Sequence, residues 1–269
     1  MFHIWASGCL LWRSEKTGKG RQMYRFFVKP EKLKSTPILI DGDDYNHIHN
    51  VLRMKAGEQI LLSDESDKEY LCEITGFLPE EDQVQLKIID IWSNSRELPA
   101  RIVLFQGYPK GDKMEQIVQK AVELGAVEIV PVMMKRCVVK LDDKKAQKKV
   151  ERLNAIALSA AKQAKRGIIP EVKPIVNMQE AVRYASDMEY IIIPYENAEG
   201  MDFSKEIIRA AKGKESIAVF IGPEGGFDSS EVELIESVGG KTITLGHRIL
   251  RTETAGMAML SLLMFLLEE

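Results

Sequence analysis

Two short segments toward the C-terminal end hold most of the residue types able to do chemistry. An apolar run, residues 217–221, ends in Gly222-Pro223-Glu224-Gly225-Gly226-Phe227, and Leu245-Gly246-His247-Arg248-Ile249-Leu250-Arg251-Thr252-Glu253-Thr254-Ala255 follows. Glycines directly after a buried strand let backbone N–H and C=O groups approach a ligand without Cβ interference, while Glu, Arg and Thr offer charge and hydrogen bonds close by. That set suits a small polar ligand in a tight crevice. A glycine turn before a helix start is also a generic anion cradle. Glu224 inside the loop would repel phosphate, however, and neither GxxxxGK[ST] nor a strand-following GxGxxG occurs. A neutral or cationic ligand, such as a nucleoside bearing a sulfonium, fits better. Arg251 and Glu253 either pair as a salt bridge holding their loop, or act at a substrate base, the Arg orienting it and the carboxylate managing a proton. Thr252 or Thr254 is placed to cap the last helix.

Those loops need a frame. From Met23 onward short strands are expected at residues 24–28, 38–40, 59–63, 69–75 and 84–92, interrupted by a helical turn or two at 47–54, which together resemble a small β-barrel. His47 and His49 fall on different sides of that helical segment, so they form no metal pair. Residues 93–99 have the polar, proline-terminated composition of a linker. Beyond it, apolar runs at 102–105, 129–133, 190–194, 217–221 and 242–245 alternate with segments of helical period, which predicts a parallel sheet covered by helices. Asp112 with Glu115 and Asp228 with Glu231 read as helix starts, and Gly125 and Gly167 stand where a left-handed C-terminal residue is wanted. The division predicted is an extension over 1–22, a β-barrel over 23–95 and an α/β domain over 101–269.

At 269 residues, 45 % hydrophobic and 29 % charged with a net charge of −3, the chain has the composition of a globular protein with room for two domains. Local charge is more informative. Residues 135–173 carry twelve Lys or Arg against four Asp or Glu, either a solvated helix face or an electrostatic footprint for phosphate backbones. Arg136, Lys165 and Arg166 lie in that stretch, and Lys110 and Lys113 at the start of the helix after residue 109 are further candidates for RNA phosphates. Cys9, Cys72 and Cys137 are far apart in sequence and suggest neither a disulfide framework nor a zinc site, which points to the cytoplasm. The apolar run 255–267 is shorter than the about 20 residues a membrane span needs, so it reads as a buried terminal helix. Residues 1–22 mix aromatic and apolar residues without period and place their charges after the apolar part, unlike a signal peptide. Met23 is the expected initiator.

Gly222-Pro223-Glu224-Gly225-Gly226, Leu245-Gly246 with the Arg248 to Ala255 segment, and Lys110-Gly111-Asp112-Lys113-Met114 through Glu123-Leu124-Gly125 together resemble the RsmE family, 16S ribosomal RNA methyltransferases of the SPOUT superfamily. The resemblance runs from about Met23 to the C-terminus. Arg25-Phe26 and Val51-Leu52-Arg53-Met54 are similar to the family's PUA-like RNA-binding domain and add Arg25 and Arg53 to the RNA candidates. What the resemblance implies is an S-adenosylmethionine-dependent enzyme that methylates N3 of one uridine in the decoding region of 16S rRNA, in the 30S subunit. It also implies a homodimer and a C-terminal trefoil knot, which general topology rules would argue against. The cofactor would sit among three loops: Ile193-Pro194-Tyr195-Glu196; Gly222, Pro223, Glu224, Gly225 and Gly226; and Thr244 to Leu250, with Leu245, Gly246, Arg248, Ile249 and Leu250 as contacts and Thr252 and Ala255 behind. Arg251 and Glu253 would be the catalytic pair. Lys162 departs from the family pattern, in which many members carry Glu. Rival readings are a SPOUT enzyme of another rRNA or tRNA nucleotide, and a non-catalytic ribosome-assembly factor.

Overall fold

Alternation of apolar residues along five short strands builds the first core. In the computed structural model, which describes residues 23–64, 68–93, 96–139, 141–198 and 200–268, strands β1 (Arg25–Phe27), β2 (Ile38–Ile40), β3 (Gln59–Ser63), β4 (Lys68–Leu78) and β5 (Gln83–Ser93) form one sheet in the order β1-β3-β4-β5-β2. The proposed start at Met23 and the extension before it concern residues outside those described. One side chain in two along each strand turns to a shared core, among them Phe26, Ile38, Ile60, Ile74 and Val84. Tyr45 and Ile48 close it from a helical segment, α1 (Gly42–Asn46) continued by a wider π-type turn (His47–Val51). The helical stretch therefore begins earlier than 47 and ends before 54, where Arg53 adopts φ 54° and turns the chain. His47 lies edge-on to Phe26 and His49 stacks on Tyr45 at 5.3 Å, so both imidazoles belong to aromatic contacts.

The second sheet is parallel throughout: β6 (Arg101–Gly107), β7 (Glu128–Met133), β8 (Glu171–Val172), β10 (Tyr190–Pro194), β11 (Ser216–Ile221) and β12 (Lys241–Ile243) run in the order β12-β10-β11-β6-β7-β8, with β9 (Val176–Asn177) also on β7. Its strands are apolar at consecutive positions because both faces are covered. Ile102, Leu104, Val219 and Ile192 face α2 (Lys113–Glu123), α3 (Asp143–Gln163), α5 (Met201–Arg209) and α7 (Thr252–Leu267). Val103, Phe105, Phe220 and Ile193 face α4 (Met178–Ala185) and α6 (Ser229–Glu236), with Phe105 and Phe220 stacked at 4.5 Å. This is the α/β arrangement expected, with two short strands, β8 and β9, that no apolar run announced.

The two sheets are joined by buried charge, and here three expectations change. Arg25 and Arg166 do not present cations to RNA. Arg25 shares β1 with Phe27, which reaches into the second core; its guanidinium pairs with Glu69 and donates to the Lys165 and Arg166 carbonyls at 3.1 and 3.2 Å. Arg166, 4 % exposed, is held by Glu97 through Nε at 2.9 Å and Nη2 at 2.5 Å, and donates to the Val122 and Ala126 carbonyls at the end of α2. Both are helix C-terminal caps rather than surface cations. The residue in the left-handed region after α3 is Lys165, at φ 57°, not Gly167, whereas Gly125 fills that role after α2 at φ 95°. Ser63 Oγ donates to the Gly167 carbonyl at 2.7 Å, and Lys162 lies 3.6 Å from Asp44. Residues 96–99 thus do more than tether: Arg96 joins Arg25 on Glu69, Glu97 neutralises Arg166, and Leu98 packs on Gly125. A chain cut to begin at Arg101 would leave the Arg166 guanidinium buried without its carboxylate.

The terminal helix is one-sided. Gly256, Met259, Leu260, Leu263 and Leu267 are buried in α7, while Leu262 and Phe265 are 43 % and 85 % exposed. Among the described residues no helix is long and apolar enough to cross a membrane.

Candidate active site

The loops after β10, β11 and β12 leave the carboxyl ends of three adjacent parallel strands, the edge at which open α/β sheets place ligands. They enclose a cleft of about 740 Å³, within the range of small-molecule sites. Of the cofactor candidates, Pro194, Gly222, Pro223, Glu224, Gly225, Gly226, Leu245, Gly246, Arg248, Ile249, Leu250, Thr252 and Ala255 line it, as does Arg251. Ile193 does not: its side chain is fully buried on the opposite face with Phe105 and Phe220, so it offers that loop only backbone. Ala198, Gly200 and Met201, on the way into α5, also line it and were not foreseen, because nothing in their spacing distinguishes them from ordinary loop and helix residues; Phe227 and Lys113, singled out for other reasons, complete the wall.

Local bonding explains why each loop keeps its shape. Gly226 has φ 68° and Gly246 φ 115°, conformations that disfavour a side chain. A Cβ on Gly222 would lie 3.1 Å from the Gly226 carbonyl carbon, and one on Gly107 only 2.5 Å from Pro223 N, so the end of β6 is pressed against the glycine loop. Gly107→Ala is accordingly expected to displace that loop and weaken cofactor binding by at least about tenfold, or ~1.4 kcal/mol, measured by calorimetry; unchanged affinity would show that the loop shape does not matter. Thr244 N–H donates to Ser204 Oγ at 2.9 Å, and Tyr195 N–H to the Ile243 carbonyl at 2.8 Å, tying the first and third loops together. Arg136 Nη1 donates to the Gly225 carbonyl at 3.0 Å, so this member of the basic stretch supports the glycine loop.

Asp228 caps α6 in a reciprocal box with Glu231, as its spacing predicted. Hydrogen bonds from Ser230 and from Lys135, whose Nζ is 3.0 Å away, hold its pKa down to about 2. A carboxyl depressed in the folded state stabilises the fold above its unfolded value of about 3.9, and that contribution is lost as pH falls through the folded value. Asp228→Asn, still able to cap, should melt below the parent at neutral pH, with the gap closing between about pH 4 and pH 2; a gap constant to pH 2 would exclude the charge as its cause. Asp112, by contrast, occupies the N-cap position of α2 without a side-chain cap bond.

The charged wall centres on Lys113. Its Nζ is 3.0 Å from Glu224 Oε1 and 3.4 Å from Glu253 Oε2, and Glu224 also accepts from Lys110 N–H at 3.2 Å. Burial pushes the Glu224 pKa up, but the Lys113 ammonium and the backbone N–H groups outweigh it and hold the carboxyl below its ordinary range. Lys113, a candidate for RNA phosphate, is therefore committed to two carboxylates. Glu253 stands in the first turn of α7 with Oε2 buried and lacking a hydrogen bond among the described residues, the 3.4 Å approach of Lys113 being an ion pair only. No Arg251–Glu253 bridge forms. Arg248 and Arg251 are exposed at the cleft, and neither guanidinium has an ion pair or hydrogen bond among the described residues. Neither Thr252 nor Thr254 is the cap of α7: Arg251 holds the N-cap position, and the Thr252 hydroxyl donates to the Gly222 carbonyl at 2.6 Å. Of the remaining RNA candidates, Arg53, Lys110 and Lys165 are exposed.

A small β domain followed by a parallel α/β sheet with a three-loop cleft defines a two-part protein with a small-molecule site, and family comparison gives the class. An RNA methyltransferase domain matches residues 96–264, and an RNA methyltransferase PUA domain matches residues 40–89. The ribosomal RNA small subunit methyltransferase E of Bacillus subtilis (strain 168) is 39 % identical over 246 residues, covering 89 % of this chain and 95 % of that protein. A solved structure of a ribosomal RNA small subunit methyltransferase E from Neisseria gonorrhoeae, bound to S-adenosyl methionine, superposes with a TM-score of 0.73 at 30 % identity, covering 89 % of this chain and 96 % of that one. The chain belongs to the ribosomal RNA small subunit methyltransferase E family.

Proposed function

We propose that this protein transfers a methyl group from S-adenosylmethionine to N3 of one uridine in the decoding region of 16S rRNA, on the 30S subunit and in the cytoplasm. The observation that carries this reading is the cleft itself: three glycine-bearing loops at adjacent strand ends, with Arg251, unpaired among the described residues, beside them. Its walls suit the cofactor. Ile221, Phe227, Leu245 and Leu250 offer apolar surface for a flat base, and backbone groups of the 222–226 and 244–250 loops lie free of Cβ atoms at the glycines. Bound there, S-adenosylmethionine would supply an electrophilic methyl group with a neutral leaving group.

What the chain must contribute concerns the uridine. N3 carries a proton and is a poor nucleophile until that proton is lost, so the site needs an acceptor and a cation for the charge that spreads over O2 and O4. Arg251, without a partner among the described residues, is assigned to that charge. Glu253, which lies beside Lys113 next to Arg251 and Thr252, is assigned to the N3 proton. Arg53, Lys110 and Lys165, with the exposed lysines of α3, grip the RNA, residues 23–95 acting as the RNA-holding unit and 101–269 as the transferase. The exposed Ile249, Leu262 and Phe265 support a homodimer packed through α7. The return of α7 from the β12 edge to Gln106 on β6 is the path a trefoil knot would take. Label transfer from S-adenosylmethionine to unmodified 30S subunits tests the reading; cofactor binding without label on any RNA would favour an assembly factor instead.

A further inference from the structure

Gln106, one residue from the end of β6, is fully buried although polar. Its Nε2 donates to Thr252 Oγ1 at 2.8 Å and to the Gly107 carbonyl at 3.0 Å, while the Thr252 hydroxyl donates to the Gly222 carbonyl at 2.6 Å. The single hydroxyl proton goes to Gly222, so Thr252 Oγ1 can only accept from Gln106, which fixes the orientation of the amide. Gln106 Oε1 is then left without a donor among the described residues, 3.6 Å from the point that a Cβ on Gly256 would occupy. An orphaned interior acceptor is unfavourable, and a methionine would fill the same space without one. Departures of this kind from local stability collect where function requires them.

The chain of bonds joins three pieces of the site. Gly222 opens the glycine loop after β11, Thr252 stands between Arg251 and Glu253 at the start of α7, and Gln106 anchors both to the central strand β6. We propose that Gln106 is a positioning residue for methyl transfer: through Thr252 it locks the Gly222 loop to the first turn of α7, holding the cofactor cradle and the Arg251 guanidinium at a fixed separation. Gln106 does not line the cleft, so it acts only through Thr252 and Gly107. The inference rests on reading the cleft as the S-adenosylmethionine site.

The test compares the parent protein with Gln106→Met, Thr252→Val and Thr252→Ser in three measurements. These are calorimetric binding of S-adenosylmethionine and S-adenosylhomocysteine, the ligand-free melting temperature, and kcat and KM on 30S subunits. Gln106→Met removes the orphaned acceptor along with the donor, so its ligand-free melting temperature should stay within about 3 °C of the parent. Its Kd for both ligands should nevertheless rise at least about tenfold, with a further fall in kcat and little change in KM for the subunit. Thr252→Val should behave likewise, and Thr252→Ser, which keeps the hydroxyl, should recover to within about threefold. Parent-like binding and kcat in Gln106→Met would overturn the assignment, as would Thr252→Ser failing as badly as Thr252→Val. A parent protein that binds neither ligand would overturn the reading of the cleft, and the role of Gln106 with it.

Discussion

Arg251→Ala is expected to lower turnover on 30S subunits by about 10²–10³-fold while the Kd for S-adenosylmethionine changes by no more than about threefold. The reason lies in its surroundings. Arg251 is exposed at the N-cap of α7 without a partner among the described residues, so its removal leaves no buried carboxylate behind and disturbs no loop bond. Its neighbour Thr252 holds the loop through Gly222, leaving the guanidinium available for charge that develops on the uracil ring. Arg251→Lys keeps the charge but loses the planar fork, and should recover only part of the rate. Equal losses of turnover and cofactor affinity in Arg251→Ala would assign the residue to cofactor binding instead.

The second large effect is on stability. Arg166→Ala should cost about 3–5 kcal/mol of unfolding free energy, because it strands Glu97 and leaves helix-end carbonyls without their donor. Denaturant melts measure it, and a loss below about 1 kcal/mol would place the pair among weak surface bridges. Replacing Glu97 and Arg166 together by apolar residues should cost much less than the single change, since a buried pair is expensive chiefly when broken.

The same arginine marks the limit of what the chain discloses by itself. Strand positions were legible because burial on both faces of a parallel sheet leaves continuous apolar runs, as at 190–194 and 217–221. The glycine loops were legible because backbone that approaches a ligand or turns left-handed calls for Gly, as at Gly226 and Gly246. Charge counting misread Arg166, and the resemblance misread Arg25, because their carboxylates are remote in sequence: Glu97 lies 69 residues from Arg166. A basic run reads the same whether its members face solvent or cap a helix end. Lys113 failed similarly, since Glu224 approaches it from another loop, 111 residues on. Lys165 in a left-handed turn, beside a glycine that does not take one, shows that tertiary bonding from Arg25 can override local preference.

The measurement that bears most directly on the central claim is the position of the methyl group. Purified protein, labelled S-adenosylmethionine and 30S subunits from a strain lacking the modification would be incubated together, and the 16S rRNA digested and sequenced by mass spectrometry. One N3-methyluridine in the decoding region is expected, absent when Arg251→Ala replaces the parent over the same time. Label on another nucleotide, on tRNA or on no RNA at all would contradict it.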